Sequence, residues 1–222
     1  MTRLIHTGEE RYGLALVLIL ASMIFIMASS DGRWEVLIAL NLQALALFAS
    51  LRAAHPSQRV WAPVVLLFVA IVLAAWVQTA LSTSVSGNYV RVATFALVLI
   101  ATPVIGFGLV RQVKERRSIT LHTMMGVLCI YLLMCLAFAA ACGAIAAIGG
   151  DPFFEQGDSA GTTNNYLYYS LTTVTTVGMG DFTPATNLGR SLTAAEALIG
   201  QIYVVTVVAA IVSNLRPRKS DG

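Results

Sequence analysis

The sequence predicts an all-α membrane protein with six membrane-crossing helices, one short re-entrant helix and a glycine-containing loop. Three observations carry this. Hydrophobic residues make up 57% of the chain and charged residues 11%, with a mean hydropathy of +0.78, far from the balance of a soluble domain. Six apolar runs, at 12–28, 34–51, 60–81, 92–110, 119–148 and 188–212, approach or exceed the roughly 20 residues a helix needs to cross about 30 Å of hydrocarbon. Between the last two runs, 164–175 is too short and too polar to span, so it enters the membrane and leaves on the same side.

The first run follows Arg3 and Arg11 and ends near Ala28-Ser29-Ser30, a weak small-residue site that leaves a cleaved signal peptide as an alternative. The second carries Asn41 and Gln43 and the third Gln78, side chains that need hydrogen-bond partners between helices. Pro63 fits the first turn of the third run, whereas Pro103 with Gly106 and Gly108 is expected to kink or loosen the fourth. From 92 to 110 there is no charged residue. A voltage sensor needs Arg or Lys repeated within the membrane, because one charge moved through 100 mV supplies only about 2.3 kcal/mol; steep voltage gating is therefore not expected. Arg111, Lys114 and Arg117 follow the run and read as a solvated stripe facing lipid headgroups. Cys129, Cys135 and Cys142 all fall on the fifth run and read as buried small residues. His6, His55 and His122 form no metal constellation.

Orientation follows from positive charge, which accumulates in cytoplasmic flanks. With both termini cytoplasmic, the inside carries Arg3, Arg11, Arg52, Arg59, Arg111, Lys114, Arg116, Arg117, Arg216, Arg218 and Lys219, and the outside only Arg33, Arg91 and Arg190. The net charge of +3 thus reflects membrane orientation; no basic stripe interleaved with aromatics points to nucleic acid. The expected organisation is a four-helix peripheral transmembrane domain at 1–110, a basic cytoplasmic linker at 111–118, and a third unit at 119–222. Because the chain stops at Gly222, no cytoplasmic regulatory domain is expected.

The most informative stretch is Thr175-Thr176-Val177-Gly178-Met179-Gly180-Asp181. Gly178 and Gly180 adopt positive φ at little cost, and exposed backbone carbonyls at membrane depth are tolerated only where they line a water-filled or ion-filled cavity. The loop therefore looks like an ion selectivity filter, with Thr176 adding a hydroxyl to the innermost oxygens.

From Tyr166 to Asp181, followed by Gly189-Arg190, Glu196 and Gly200, the chain resembles the pore helix, signature sequence and inner helix of bacterial members of the potassium channel family, specifically over about residues 163–213. The resemblance implies a homotetramer in a lipid bilayer, multi-pass in a bacterial inner membrane. It divides 119–222 into outer helix, pore helix 164–175, filter 176–181, inner helix 188–212 and a short tail. K⁺, as cargo and not as a resident cofactor, would be held at Thr176, Val177, Gly178 and Met179, with Gly180 completing the filter. One departure is Met179, where the family usually has Tyr or Phe. Main-chain carbonyls survive the change, so Met179 is either neutral or softens discrimination between K⁺ and Na⁺, since a flexible thioether specifies one geometry poorly.

Tyr168 and Tyr169 are expected to supply part of the missing packing, and Asp181 to buttress the filter and concentrate cations. Glu196 either lies behind the filter, bonded to pore-helix groups such as Thr172 or Thr173, or pairs with Arg190 in a polar vestibule. Asp151, Glu155 and Asp158 make the preceding outer loop acidic, as a solvated surface or as added negative potential. Gly200 stands where the resemblance puts the gating glycine, and serves either as a hinge or as a close-packing site. Tyr203 or Val204, Val207, Ala210 or Ile211, and Asn214, stepping along one face, are the candidate lining of the cavity and inner gate. No nucleophile–base pair, metal ligand set or phosphate loop marks an enzyme. The function read from the sequence is passive K⁺ conduction; a weakly selective monovalent cation channel and a non-conducting scaffold or accessory subunit are the alternatives.

Overall fold

The computed structural model describes residues 3–29, 33–54 and 121–215, together with scattered helical positions between 65 and 77. The fourth apolar run, the basic linker and most of the third run lie outside these residues, as do Gln78 and His55, so the six-helix expectation is met there only by its first, second, fifth and sixth members. Five α-helices are described: α1 (Arg3–Ala28), α2 (Arg33–Ala54), α3 (Leu121–Gly149), α4 (Thr163–Val174) and α5 (Asn187–Leu215). Among the described residues there is no strand, only one isolated antiparallel bridge between Phe154 and Pro184.

α1 buries Tyr12, Ala15, Ile19, Ser22, Met23 and Ile26 and leaves Leu14, Val17, Leu20, Ile24 and Met27 bare. The buried set recurs at helical spacing, yet both faces are apolar, as expected of a helix whose outer face meets lipid. It packs on α2 through Ala39, Ala46 and Leu47, and on α3, where Cys129 Sγ reaches the Tyr12 carbonyl at 3.8 Å. Asn41 of α2 finds the interhelical partner its polarity demands, accepting from Trp76 Nε1 at 3.4 Å, and Gln43 is buried.

Two helical stretches, Met124–Gly149 and Asn187–Ala210, are long and apolar enough to cross a membrane; Tyr12–Ala28 is apolar but shorter. Their burial differs sharply. α3 is covered on most sides by α1, α4 and α5, and its three cysteines are free and buried. α5 leaves Leu198, Ile199, Ile202, Val205, Val208 and Val212 exposed, an apolar surface that water would penalise.

α3 stops at Gly150, in the left-handed region at φ 75°. The outer segment then tucks in Phe153 and Phe154, which are 2% and 1% exposed. Thr162 starts α4 by accepting the Asn165 N–H at 3.1 Å, and Thr186 starts α5 by accepting the Gly189 N–H at 3.1 Å. The three helices of this half meet closely enough that α5 needs glycine at its contacts. A Cβ on Gly189 would lie 3.2 Å from the Phe153 ring, and one on Gly200 would lie 2.6 Å from Val174 Cγ2 and 2.9 Å from the Val174 carbonyl oxygen.

Close packing at Gly200 makes a sign test available. In an unconstrained helix Gly→Ala stabilises by about 0.5–1 kcal/mol. Here the added methyl meets backbone, and overpacking of this kind costs about 1–3 kcal/mol. Gly200→Ala is expected to lower the thermal unfolding midpoint of the purified protein in detergent; a raised midpoint would show that Gly200 is not held against Val174.

Candidate functional site

α4 ends at Val174 and the chain turns back along its own last turn. The N–H of Thr176 donates to the Thr173 carbonyl at 2.9 Å, and those of Val177 and Gly178 both donate to the Thr172 carbonyl, at 2.8 and 3.0 Å. Helix ends leave such carbonyls without partners, so the loop satisfies α4 while α4 fixes the loop. Thr176, Gly178 and Gly180 have φ of 61°, 52° and 79°, whereas Val177 and Met179 do not have positive φ. Alternating the hand of successive residues turns N–H groups to one face and carbonyls to the other. With the amides of 176–178 spent on α4, the loop's carbonyls are left to a surface where every residue from Thr175 to Asp181 is exposed.

Positive φ is tolerated by the two glycines but strains Thr176, whose branched side chain resists the left-handed region. A second layer holds that geometry. Glu155 N–H donates to the Thr183 carbonyl and Ala185 N–H to the Phe153 carbonyl, both at 2.9 Å, on either side of the bridge, so the segments before α4 and after the loop are stitched together. Phe154 stacks on Tyr166 at 5.2 Å and meets Tyr169 and Phe182 at 5.2 and 5.0 Å; Phe153 lies edge-on to Phe154 at 5.1 Å. On the exposed rim Arg190 pairs with Glu155 at 2.8 Å, and Glu155 also accepts from the Thr183 hydroxyl at 3.1 Å.

Several expected partners are exchanged. Arg190 goes to Glu155, not to Glu196. Glu196 is fully buried behind α4, but its Oε1 meets the Ser170 hydroxyl rather than Thr172 or Thr173; Ser170 in turn donates to the Cys135 carbonyl at 2.8 Å. Thr172 supports the loop through its carbonyl, while its hydroxyl donates to the Tyr169 carbonyl at 3.0 Å. The Tyr169 ring sits among Phe153 and Phe154, and its hydroxyl shares a 2.7 Å hydrogen bond with Thr193 of α5. Tyr168 stands beside the loop, edge-on to Phe182, and its hydroxyl is hydrogen-bonded to the Asp181 carboxylate, which raises the phenol above its ordinary range. Met179 is 65% exposed.

Of the two residues expected at the first lining step, Val204 is exposed and Tyr203 is turned away. Its hydroxyl donates to the Val127 carbonyl at 2.6 Å and its ring stacks on Tyr131 at 5.8 Å, so it faces α3. Tyr131 in turn donates to the Val174 carbonyl at 3.2 Å, at the point where Gly200 touches α4. Val207 is half-buried, Ala210 is exposed, and the side chain of Asn214 lies outside the described residues. Sequence reasoning missed Ser170, Tyr131 and the Phe153–Phe154 pair. Tyr166, Ser170 and Val174 recur at every fourth residue along one face of α4, a spacing that marks Ser170 as inward-facing. Among the described residues no group of His, Cys, Asp and Glu is arranged to hold a metal ion.

Residues 126–216 match a protein-family model described as an ion channel. The match covers α3 from near its start, α4, the loop and α5, and is less than half of the chain. No curated protein and no solved structure matches the chain. The matched segment is similar to the channel domain of ion channels, and it contains both helices that are long and apolar enough to cross a membrane.

The aromatic seal governs how firmly the loop is held. Phe154→Ala removes a ring in contact with four others and is expected to cost about 3–5 kcal/mol. Hydrogen exchange should then quicken at the Glu155 and Ala185 amides, which the seal shields, more than at the Leu133 amide in the middle of α3; equal acceleration at all three would show that the ring stabilises the fold without holding this clamp.

Proposed function

We propose that the chain is one subunit of a homotetrameric channel that passes K⁺ passively across a cell membrane, with 176–180 as its filter. The observation that carries the reading is the divided backbone of this loop: the N–H groups of 176–178 committed to α4, positive φ at Thr176, Gly178 and Gly180, and carbonyls left for a ligand of positive charge. One row surrounds nothing. Four rows about an axis make cages of oxygens that replace an ion's hydration shell, and the bare apolar side of α5, adjoining the loop, is the surface that neighbouring subunits and lipid would cover. Thr176 adds its hydroxyl at the inner end, and exposed Asp181 raises the cation concentration at the outer one.

In this reading 1–110 is the peripheral transmembrane domain, 111–118 the cytoplasmic linker and 119–222 the pore unit. Both termini are cytoplasmic, the filter's Asp181 end faces outward, and the membrane is the bacterial inner membrane. Voltage has little grip, because 92–110 offers no charge to move. No chemical reaction is proposed for the protein.

Met179 supports a second reading, a weakly selective monovalent cation channel. Its side chain is 65% exposed in the single subunit, and a flexible thioether specifies one geometry poorly. Reversal potentials in planar bilayers, with K⁺ on one side and Na⁺ on the other, separate the two. Met179→Tyr is expected to raise the preference for K⁺, each tenfold gain corresponding to about 1.4 kcal/mol; a wild type already as selective as the variant would make Met179 neutral packing.

Gly178→Ala tests the filter itself. The methyl meets no atom within 4 Å in the single chain, but φ of +52° strains any residue bearing a Cβ. Flux through vesicles should vanish while the assembly stays intact by size-exclusion chromatography. Normal flux through the variant would sink the assignment, and absence of flux in the wild type would leave the non-conducting scaffold.

A further inference from the structure

Glu196 is 0% exposed, on the α5 face turned to α4 and α3. Its Oε1 meets the Ser170 hydroxyl, and among the described residues Oε2 has no hydrogen-bond partner. The titratable side chains facing it are Tyr131, Cys135 and Cys142 of α3 and Tyr169 of α4. All four lose protons to become anions, so none supplies a countercharge. The ion pair of Arg190 with Glu155 is elsewhere, on the exposed rim. An ionised carboxylate here would bear one bare oxygen and no cation, a cost buried sites and membranes rarely carry.

Proton counting at Ser170 points the same way. A serine hydroxyl has one proton, and Ser170 Oγ contacts both Glu196 Oε1 and the Cys135 carbonyl oxygen, the latter at 2.8 Å. The carbonyl only accepts. If Ser170 gives its proton to Cys135, the bond to Glu196 needs a proton from the carboxyl group.

We propose that Glu196 is a neutral carboxylic acid that donates to Ser170, which donates to the Cys135 carbonyl, and that this three-helix relay is a pH-sensitive brace of the pore helix. The proton moves only on titration: base removes it from Glu196, the carboxylate then takes the Ser170 proton as a hydrogen bond, and the bond from Ser170 to Cys135 is lost. Ionisation thus removes one of the hydrogen bonds that join α4 to α3 and leaves an uncompensated charge between α4 and α5. Glu196 is a positioning residue, because it reaches the filter only through α4. The role in conduction rests on the channel reading above; the protonation does not.

Infrared spectra of the purified protein in lipid vesicles test the protonation directly. At neutral pH the wild type should show the carbonyl stretch of a protonated carboxyl group, absent in Glu196→Gln and shifted in Ser170→Ala, which keeps the acid and removes its acceptor. A wild-type spectrum without that band overturns the proposal whether or not the vesicles pass K⁺. Where Glu196→Gln does not fold, the shift in Ser170→Ala decides, and an unshifted band overturns the proposal. For the brace, K⁺ flux is followed from neutral to alkaline pH. Wild-type flux should be lost at alkaline pH while Glu196→Gln, permanently neutral and still a donor, keeps its flux; equal loss in both overturns the switch. Wild-type vesicles that pass no K⁺ at any pH overturn the channel reading and with it the pH switch, leaving the infrared result to decide the protonation.

Discussion

Everything in this half of the molecule depends on three backbone hydrogen bonds that fold the loop 176–178 onto the last turn of α4. They solve two problems together. Carbonyls at a helix end and amides in an irregular loop both lack partners of their own. By pairing with each other they leave the opposite edge of the loop, its carbonyls, available. The position of α4 therefore sets the position of the site.

Each side of α4 is held by different chemistry. Toward the outer surface, rings from the preceding loop clasp Tyr166 and Tyr169. Toward α3 and α5, Ser170 joins Glu196 and the Cys135 carbonyl. At its C-terminal end the Tyr131 hydroxyl meets the Val174 carbonyl, and Gly200 lets α5 come into contact there. Apolar packing fixes distance and polar bonds fix rotation, so the loop inherits both from its helix. Tyr203, through its stacking on Tyr131, ties α5 into the same junction instead of lining a cavity.

Elements were legible in the sequence where hydrophobicity or capping defines them. The short helix expected at 164–175 is found at Thr163–Val174, and the last helix expected at 188–212 runs from Asn187 to Leu215. The left-handed glycines were legible as well, because no other residue occupies such positions freely. Partner identity was not. Thr172, Thr173 and Ser170 offer the same hydroxyl chemistry one turn apart, and only helix rotation selects among them. Tyr203 lies on a helix that is apolar all round, where periodicity gives no inward direction. Phe153 and Phe154 sit in a short acidic segment that reads as solvated surface, although both rings are almost wholly buried. Residues 78–120 contribute nothing to this comparison, being outside the described residues.

The bridge between Phe154 and Pro184 closes the chain into a ring that contains all of α4 and the loop. Closing about thirty residues costs on the order of 3 kcal/mol in chain entropy, more than two backbone hydrogen bonds of about 1 kcal/mol each return. The balance comes from the four aromatic rings packed on Phe154 at the ring's base. Because the closure is made there, the residues within the ring need not each secure their own place: once the base is shut, helix and loop have few alternative conformations left. The ring forms or opens as a unit, and the precision of the carbonyl row is set at its outer rim, away from the carbonyls themselves.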